Sequence, residues 1–179
     1  MSTELRDKPE VELLDGRKYP KVSPKRTHGL VQAAITGILR RCAAGRGQVV
    51  PEWRCRLTAQ DQFVPDVGYM SFERLLPLSD PEREEPPFAP DIAVEVRSPS
   101  NRPAYDAKKI AVYLTHGARL VLDIDPADRM VHAHALGVDA RAFHAIDTFE
   151  HPSVPWLRFD VAELFVDIDL PRSVPSNAR

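Results

Sequence analysis

Pro90-Asp91-Ile92-Ala93-Val94-Glu95-Val96-Arg97-Ser98-Pro99 is the stretch on which the fold turns. Its DIAVEV core is short, apolar and rich in β-branched residues, and prolines bound it, so it predicts a buried strand. Alternate side chains of a strand share a face: Asp91, Ala93, Glu95 and Arg97 point one way, Ile92, Val94 and Val96 the other. Two carboxylates on a covered strand repel and lose hydration unless a cation or hydrogen-bond donors compensate them. A divalent metal is one such compensation. The alternative is that Asp91 caps the strand after Pro90 and Glu95 pairs with a structural Arg or Lys. Both readings stand on this motif alone.

Downstream, Pro103 to His116 reads as a helix with proline at an early position and Gly117 as its stop. Asp106, Lys109 and Tyr113 share one face at three- and four-residue spacing, and Lys108 points elsewhere. A lysine held beside a carboxylate cluster orients an attacking water and offsets charge building on a phosphodiester. The plainer alternative is an Asp106-Lys109 helix pair with Tyr113 packed into the core. Three strand-like runs follow, ARLVLDID, RMVHAHAL and RAFHAI, and a short helix near 160–165 closes the chain.

Upstream, Asp15-Gly16 is a two-residue turn signal between extended flanks, so residues 11–19 predict a hairpin, read as architectural. Thr27 opens an amphipathic helix carrying Leu30, Val31, Ala34, Ile35, Ile38, Leu39 and Cys42, with Arg40 and Arg41 near its end and Gly45 beyond. Residues 48–57 and 62–70 read as an antiparallel strand pair, and the acidic, proline-rich 79–90 as an exposed loop. Pro65-Asp66 in the second strand adds a third carboxylate. Oxygen ligands from separate elements suit a hard ion such as Mg²⁺, which makes Asp66, Asp91 and Glu95 the candidate metal ligands. Hairpin, helix, strands, helix, strands is the order of an α/β fold on a mixed sheet.

Composition sets the bounds. The chain has 179 residues, 43% hydrophobic and 28% charged, which is ordinary globular usage. That length predicts one domain over 11–170, with flexible termini at 1–10 and 171–179. Lys+Arg 24 against Asp+Glu 26 gives a net charge of -2, so any DNA contact comes from a local patch; Arg40, Arg41, Arg46, Arg54 and Arg56 read either as a phosphate-contacting rim or as ordinary scattered surface arginines. Cys42 and Cys55 form neither a disulfide framework nor a zinc-finger spacing. The opening MSTELRDKPE is polar and no apolar run is long enough to span a bilayer, so the expectation is a cytoplasmic protein with no membrane contact.

Taken in order, ELLDG, Ser23-Pro24 with His28, Val64-Pro65-Asp66-Val67, PDIAVEVRSPS at 90–100, Asp106, Lys109, Tyr113, Gly117 and Asp125-Pro126 resemble the Uma-type family of restriction endonucleases, a branch of the PD-(D/E)XK nuclease superfamily. The resemblance runs from about Glu12 to Phe165. It implies a restriction-endonuclease-like core, a central mixed β-sheet flanked by helices with an N-terminal β-hairpin, and a Mg²⁺-dependent site, with Mn²⁺ as substitute, hydrolysing DNA. Asp66 resembles the acidic residue of the PD element, Glu95 that of the (D/E)XK element, and Asp91 an extra carboxylate on the same strand. Arg97 stands where the pattern places lysine, and Lys109 looks like the migrated replacement. The resemblance thus implies Asp66, Asp91, Glu95 and Lys109 as catalytic residues, supported by Arg97, Asp106 and Tyr113. His28 matches a family position, although a lone histidine at a helix start is more often structural. Val121-Leu122 and Val154-Pro155-Trp156 depart from the family pattern at positions of packing. A homodimer is the simplest source of the symmetry needed to cut both strands. The rival expectation is an inactive nuclease-like scaffold that binds nucleic acid or protein in a defence or mobile-element system.

Overall fold

The structure, a computed structural model, describes residues 11–21, 25–98 and 102–170. Ser23, Pro24, Pro99, Ser100 and the two predicted flexible termini lie outside the described residues. In chain order the elements are β1 (Val11–Leu14), β2 (Arg17–Pro20), α1 (Arg26–Ala43), β3 (Gly47–Pro51), β4 (Cys55–Arg56), β5 (Gln62–Phe63), β6 (Val67–Ser71), α2 (Phe72–Leu75) and α3 (Asp80–Glu84). Then come β7 (Ile92–Val96), α4 (Pro103–Thr115), β8 (Leu120–Asp125), β9 (Met130–His134), β10 (Arg141–His144), β11 (Thr148–Glu150), β12 (Arg158–Asp160) and a 3₁₀ turn at Val161–Leu164.

The six-stranded sheet runs β10-β9-β8-β7-β6-β3. Only β7 and β8 are parallel within it, and α4 is the crossover that lets the chain re-enter in the same direction. The sheet is therefore mixed, as the order of elements predicts. The alternation in DIAVEV sorts its two faces. Ile92, Val94 and Val96 pack with Val31, Ile35, Ile38 and Leu39 of α1, whereas Ala93 packs with Leu14, Phe63, Tyr113 and Val121 on the α4 side. Each large aliphatic side chain buried in this way contributes about 1.5–3 kcal/mol. Phe63 and Tyr113 meet edge to face with ring centroids 5.2 Å apart.

Three local expectations change. The strand pair expected over 48–57 and 62–70 is antiparallel but divided: β3 pairs with β6 in the large sheet, while β4 pairs with β5 in a second sheet of order β2-β1-β5-β4. Glu52, at positive φ between the two halves, marks the bend where the ribbon leaves one sheet for the other. The expected loop at 79–90 holds α3, started by a reciprocal cap between Ser79 and Glu82, and ends in buried Ala89 and Pro90. The closing helix is a single 3₁₀ turn. Gly47 has no room for a side chain, since a Cβ there would lie 2.2 Å from the Met70 carbonyl oxygen.

Candidate active site

Register decides which carboxylates meet. Val67 of β6 stands opposite Val94 of β7 in an antiparallel pairing, so Asp66, just before β6, falls beside Glu95 near the end of β7. The Val96 amide donates to Asp66 Oδ2 at 2.7 Å and confirms that placement. Glu95 lies on the face covered by α4, where the Tyr113 hydroxyl donates to its Oε1 at 2.8 Å and Lys109 Nζ reaches the same oxygen at 2.9 Å. Asp66, Glu95 and Lys109 thus line one cavity of about 910 Å³, together with Arg97 and Asp106.

Asp91 is not part of that gathering. The strand alternation puts it on the Glu95 side, but four residues of strand separate the two by about 13 Å. Its buried carboxylate accepts from the Ser71 amide at 2.7 Å and pairs with Arg74 and Arg119, each at 3.2 Å. It lines a different cavity of about 240 Å³ with Arg46, Tyr69 and Ser71. The geometry is that of the capping alternative, with arginines rather than a metal as compensation. Asp91→Ala would leave the Ser71 amide without its acceptor and is expected to cost about 1–3 kcal/mol in urea denaturation. It should leave the chemistry of the larger cavity intact, and complete loss of cleavage in a folded Asp91→Ala protein would contradict this assignment.

Arg97 is also committed elsewhere. Its guanidinium donates to Asp123 at 2.6 Å and to Asp125 at 3.0 Å. Those partners hold it even above the usual arginine range, so it is a fixed brace between β7 and β8 at the cavity wall. Of the proposed arginine rim, Arg41 pairs with Glu163, Arg54 and Arg56 with Glu85, and Arg46 donates to the carbonyls of Cys42 and Ala43.

The structure adds residues that sequence reasoning set aside. Glu12, in the hairpin read as architectural, is buried and accepts from Lys109 Nζ at 2.7 Å, the Val64 amide at 2.9 Å and the Tyr105 hydroxyl at 2.7 Å. A signal existed: Glu12 shares a strand face with Leu14, a core residue. His28, one turn before Val31 on the buried stripe of α1, places Nε2 3.0 Å from Asp66 Oδ2. Lys21 reaches Asp66 Oδ1 at 3.2 Å and donates to the Val64 carbonyl at 2.8 Å, and it also pairs with Glu52.

Each ionisation follows from these contacts. Burial pushes Asp66 upward, but the His28 hydrogen bond, the Lys21 and His28 charges and the Val96 amide outweigh it and bring Asp66 down to about 2. Glu95 goes the other way. Burial, with the nearby Asp66 and Glu12 charges, overcomes the pull of Lys109 and Lys21 and raises it to about 8. Burial opposes the Lys109 ammonium, yet Glu12, Glu95 and Tyr105 keep it well above the usual lysine range, so Lys109 stays protonated. Burial and the Glu95 charge hold Tyr113 well above its usual value, so its hydroxyl remains a donor.

A hard divalent cation fits this chemistry. Acidic side chains outnumber basic ones around the cavity, and the Asp66 and Glu12 charges both act on Glu95. Among the described residues no three histidine, cysteine or acidic side chains form a ready-made cage, so an ion held by Asp66 and Glu95 would keep several waters, as Mg²⁺ prefers.

Comparison with known proteins agrees with the fold. A crystal structure described as "a putative nuclease belonging to DUF820" from Anabaena variabilis superposes with a TM-score of 0.76 at 22% identity, over 88% of this chain and 90% of that one. No curated protein sequence matches. Among the described residues no helix is long and apolar enough to cross a membrane. The Uma2 family, described as "Putative restriction endonuclease", matches residues 2–162, and the chain belongs to that family.

Proposed function

We propose that the larger cavity is the centre of a divalent-metal-dependent endonuclease that hydrolyses DNA phosphodiester bonds. The observation that carries this reading is the convergence of Asp66, Glu95 and a protonated Lys109, from three different elements, on one cavity. Mg²⁺, or Mn²⁺ in its place, would be held by Asp66 and Glu95. When bound, it supplies Lewis-acid neutralisation of the charge that builds on the phosphate.

The chain's own residues do the rest. Lys109 presents a fixed positive charge and N–H donors to the nucleophilic water and to the phosphate oxygens. Because it stays protonated, it acts as donor and not as base. Glu12 orients Lys109 from behind, and Tyr113 fixes the Glu95 carboxylate through Oε1. His28 and the Val96 amide fix Asp66 through Oδ2. Arg97, locked by Asp123 and Asp125, shapes the wall and leaves phosphate contact to Lys109. One such centre cuts one strand, so scission of both calls for a second copy related by a two-fold axis.

The test is cleavage of supercoiled plasmid with Mg²⁺ or Mn²⁺, beside EDTA and the Glu95→Ala protein. The expected result is metal-dependent nicking, with nicked circles preceding linear DNA, lost in EDTA and in the variant. Equal inertness of wild type and variant across metals and substrates overturns the reading in favour of a nuclease-like binding scaffold.

A further inference from the structure

The two oxygens of Asp66 have different fates. Oδ2 is occupied by fixed donors of the fold, His28 Nε2 at 3.0 Å and the Val96 amide at 2.7 Å. Oδ1 is the oxygen left for a cation, and Lys21 Nζ sits on it at 3.2 Å. An ammonium and a divalent ion cannot share that seat without strong repulsion at such short range. Lys21 also has partners it would keep. Its flexible four-carbon stem already brings the ammonium to Glu52, and Gln32 holds that carboxylate beside the site by donating to Glu52 at 2.7 Å and to the Asp66 carbonyl at 2.8 Å.

We propose that Lys21 is the resident counter-ion of this site: it neutralises Asp66 until a divalent cation takes Oδ1 and leaves the ammonium to Glu52 and the Val64 carbonyl, which it already contacts, and so sets the metal concentration at which the site loads. This inference rests on the reading of Asp66 and Glu95 as metal ligands. It follows from charge and position, because the group that balances the buried Asp66 carboxylate is also the group that competes with an incoming ion. Lys109 is placed differently, since its ammonium lies between Glu12 and Glu95 and supports the site from the α4 side. The competition at Asp66 Oδ1 is therefore assigned to Lys21.

Calorimetric titration of Mn²⁺ into the wild-type, Lys21→Met, Lys21→Gln and Lys21→Arg proteins at fixed ionic strength tests it. The two neutral variants are expected to bind Mn²⁺ about tenfold tighter or more, equivalent to about 1.4 kcal/mol, and Lys21→Arg to stay near wild type. Thermal melting gives a second readout. In EDTA the neutral variants should melt below wild type, having lost the partner of Asp66, and saturating Mn²⁺ should raise their melting temperature by more than it raises that of wild type. Mn²⁺ affinity in Lys21→Met and Lys21→Gln equal to or weaker than wild type overturns the counter-ion role while leaving the metal centre standing. Absence of Mn²⁺ binding in all four proteins overturns the metal centre itself.

Discussion

Lys109→Met is expected to lower both stability and cleavage, each by a large factor. Lys109 and Glu12 are buried to 5% and 6% exposure, with Nζ 2.7 Å from the carboxylate. Removing one partner of such a pair leaves the other charge in a poorly solvated place and costs about 3–5 kcal/mol. For a protein of this size that corresponds to a fall in Tm of about 6–20 °C. Loss of a preorganised donor at the reacting phosphate would lower the cleavage rate by about 10²–10³. The two effects separate in the double variant Glu12→Gln/Lys109→Met. Removing the stranded carboxylate should restore much of the stability without restoring cleavage. Recovery of cleavage in the double variant would reduce Lys109 to a structural counter-ion, and wild-type stability in the single variant would refute the buried pair.

The second large effect is in pH dependence. Glu95 is raised from an ordinary 4.5 to about 8, so the fold favours its protonated form. The unfolded chain ionises near 4.5, so the metal-free protein loses stability as pH climbs above that value, and the cost is complete once pH passes about 8. Glu95→Gln cannot ionise and keeps an acceptor for Tyr113. It should match wild type near pH 4 and exceed it by several kcal/mol at pH 9, because each tenfold change in proton affinity is worth roughly 1.4 kcal/mol. Urea denaturation in EDTA across that range measures the gap, and parallel curves for the two proteins would rule it out. Asp66 gives the opposite slope in acid. Lowered from 3.8 to about 2, it stabilises the fold above 3.8, and that contribution is lost as pH falls through 2.

The elements that carry the sheet were legible because their period is local. DIAVEV and the helix over 103–115 announce themselves within a dozen residues, and so do Glu95, Lys109 and Tyr113 on them. What local reading missed depends on register and on distance along the chain. Alternation places Asp91 and Glu95 on one side of a strand but says nothing of how far apart they lie along it. Only the pairing of Val67 with Val94 brings Asp66 to Glu95 and leaves Asp91 at the other end with Arg74 and Arg119. Glu12 meets Lys109 across 97 residues, and Lys21 meets Val64 across 43, separations over which no periodicity reports. The division of one strand ribbon between two sheets was hidden for the same reason. It turns on Glu52, whose residue type gives no warning of a positive φ.

The contact between Glu12 and Lys109 has a consequence for how the protein is made. A ribosome delivers the hairpin first, and its carboxylate lacks its Lys109 partner until helix α4 emerges much later. The Glu12–Lys109 pair therefore cannot close on a chain that stops short of α4. On the proposed nuclease reading, a product terminated before α4 would carry Asp66 and Glu95 but lack Lys109, so premature termination would yield inert fragments and not unregulated scission.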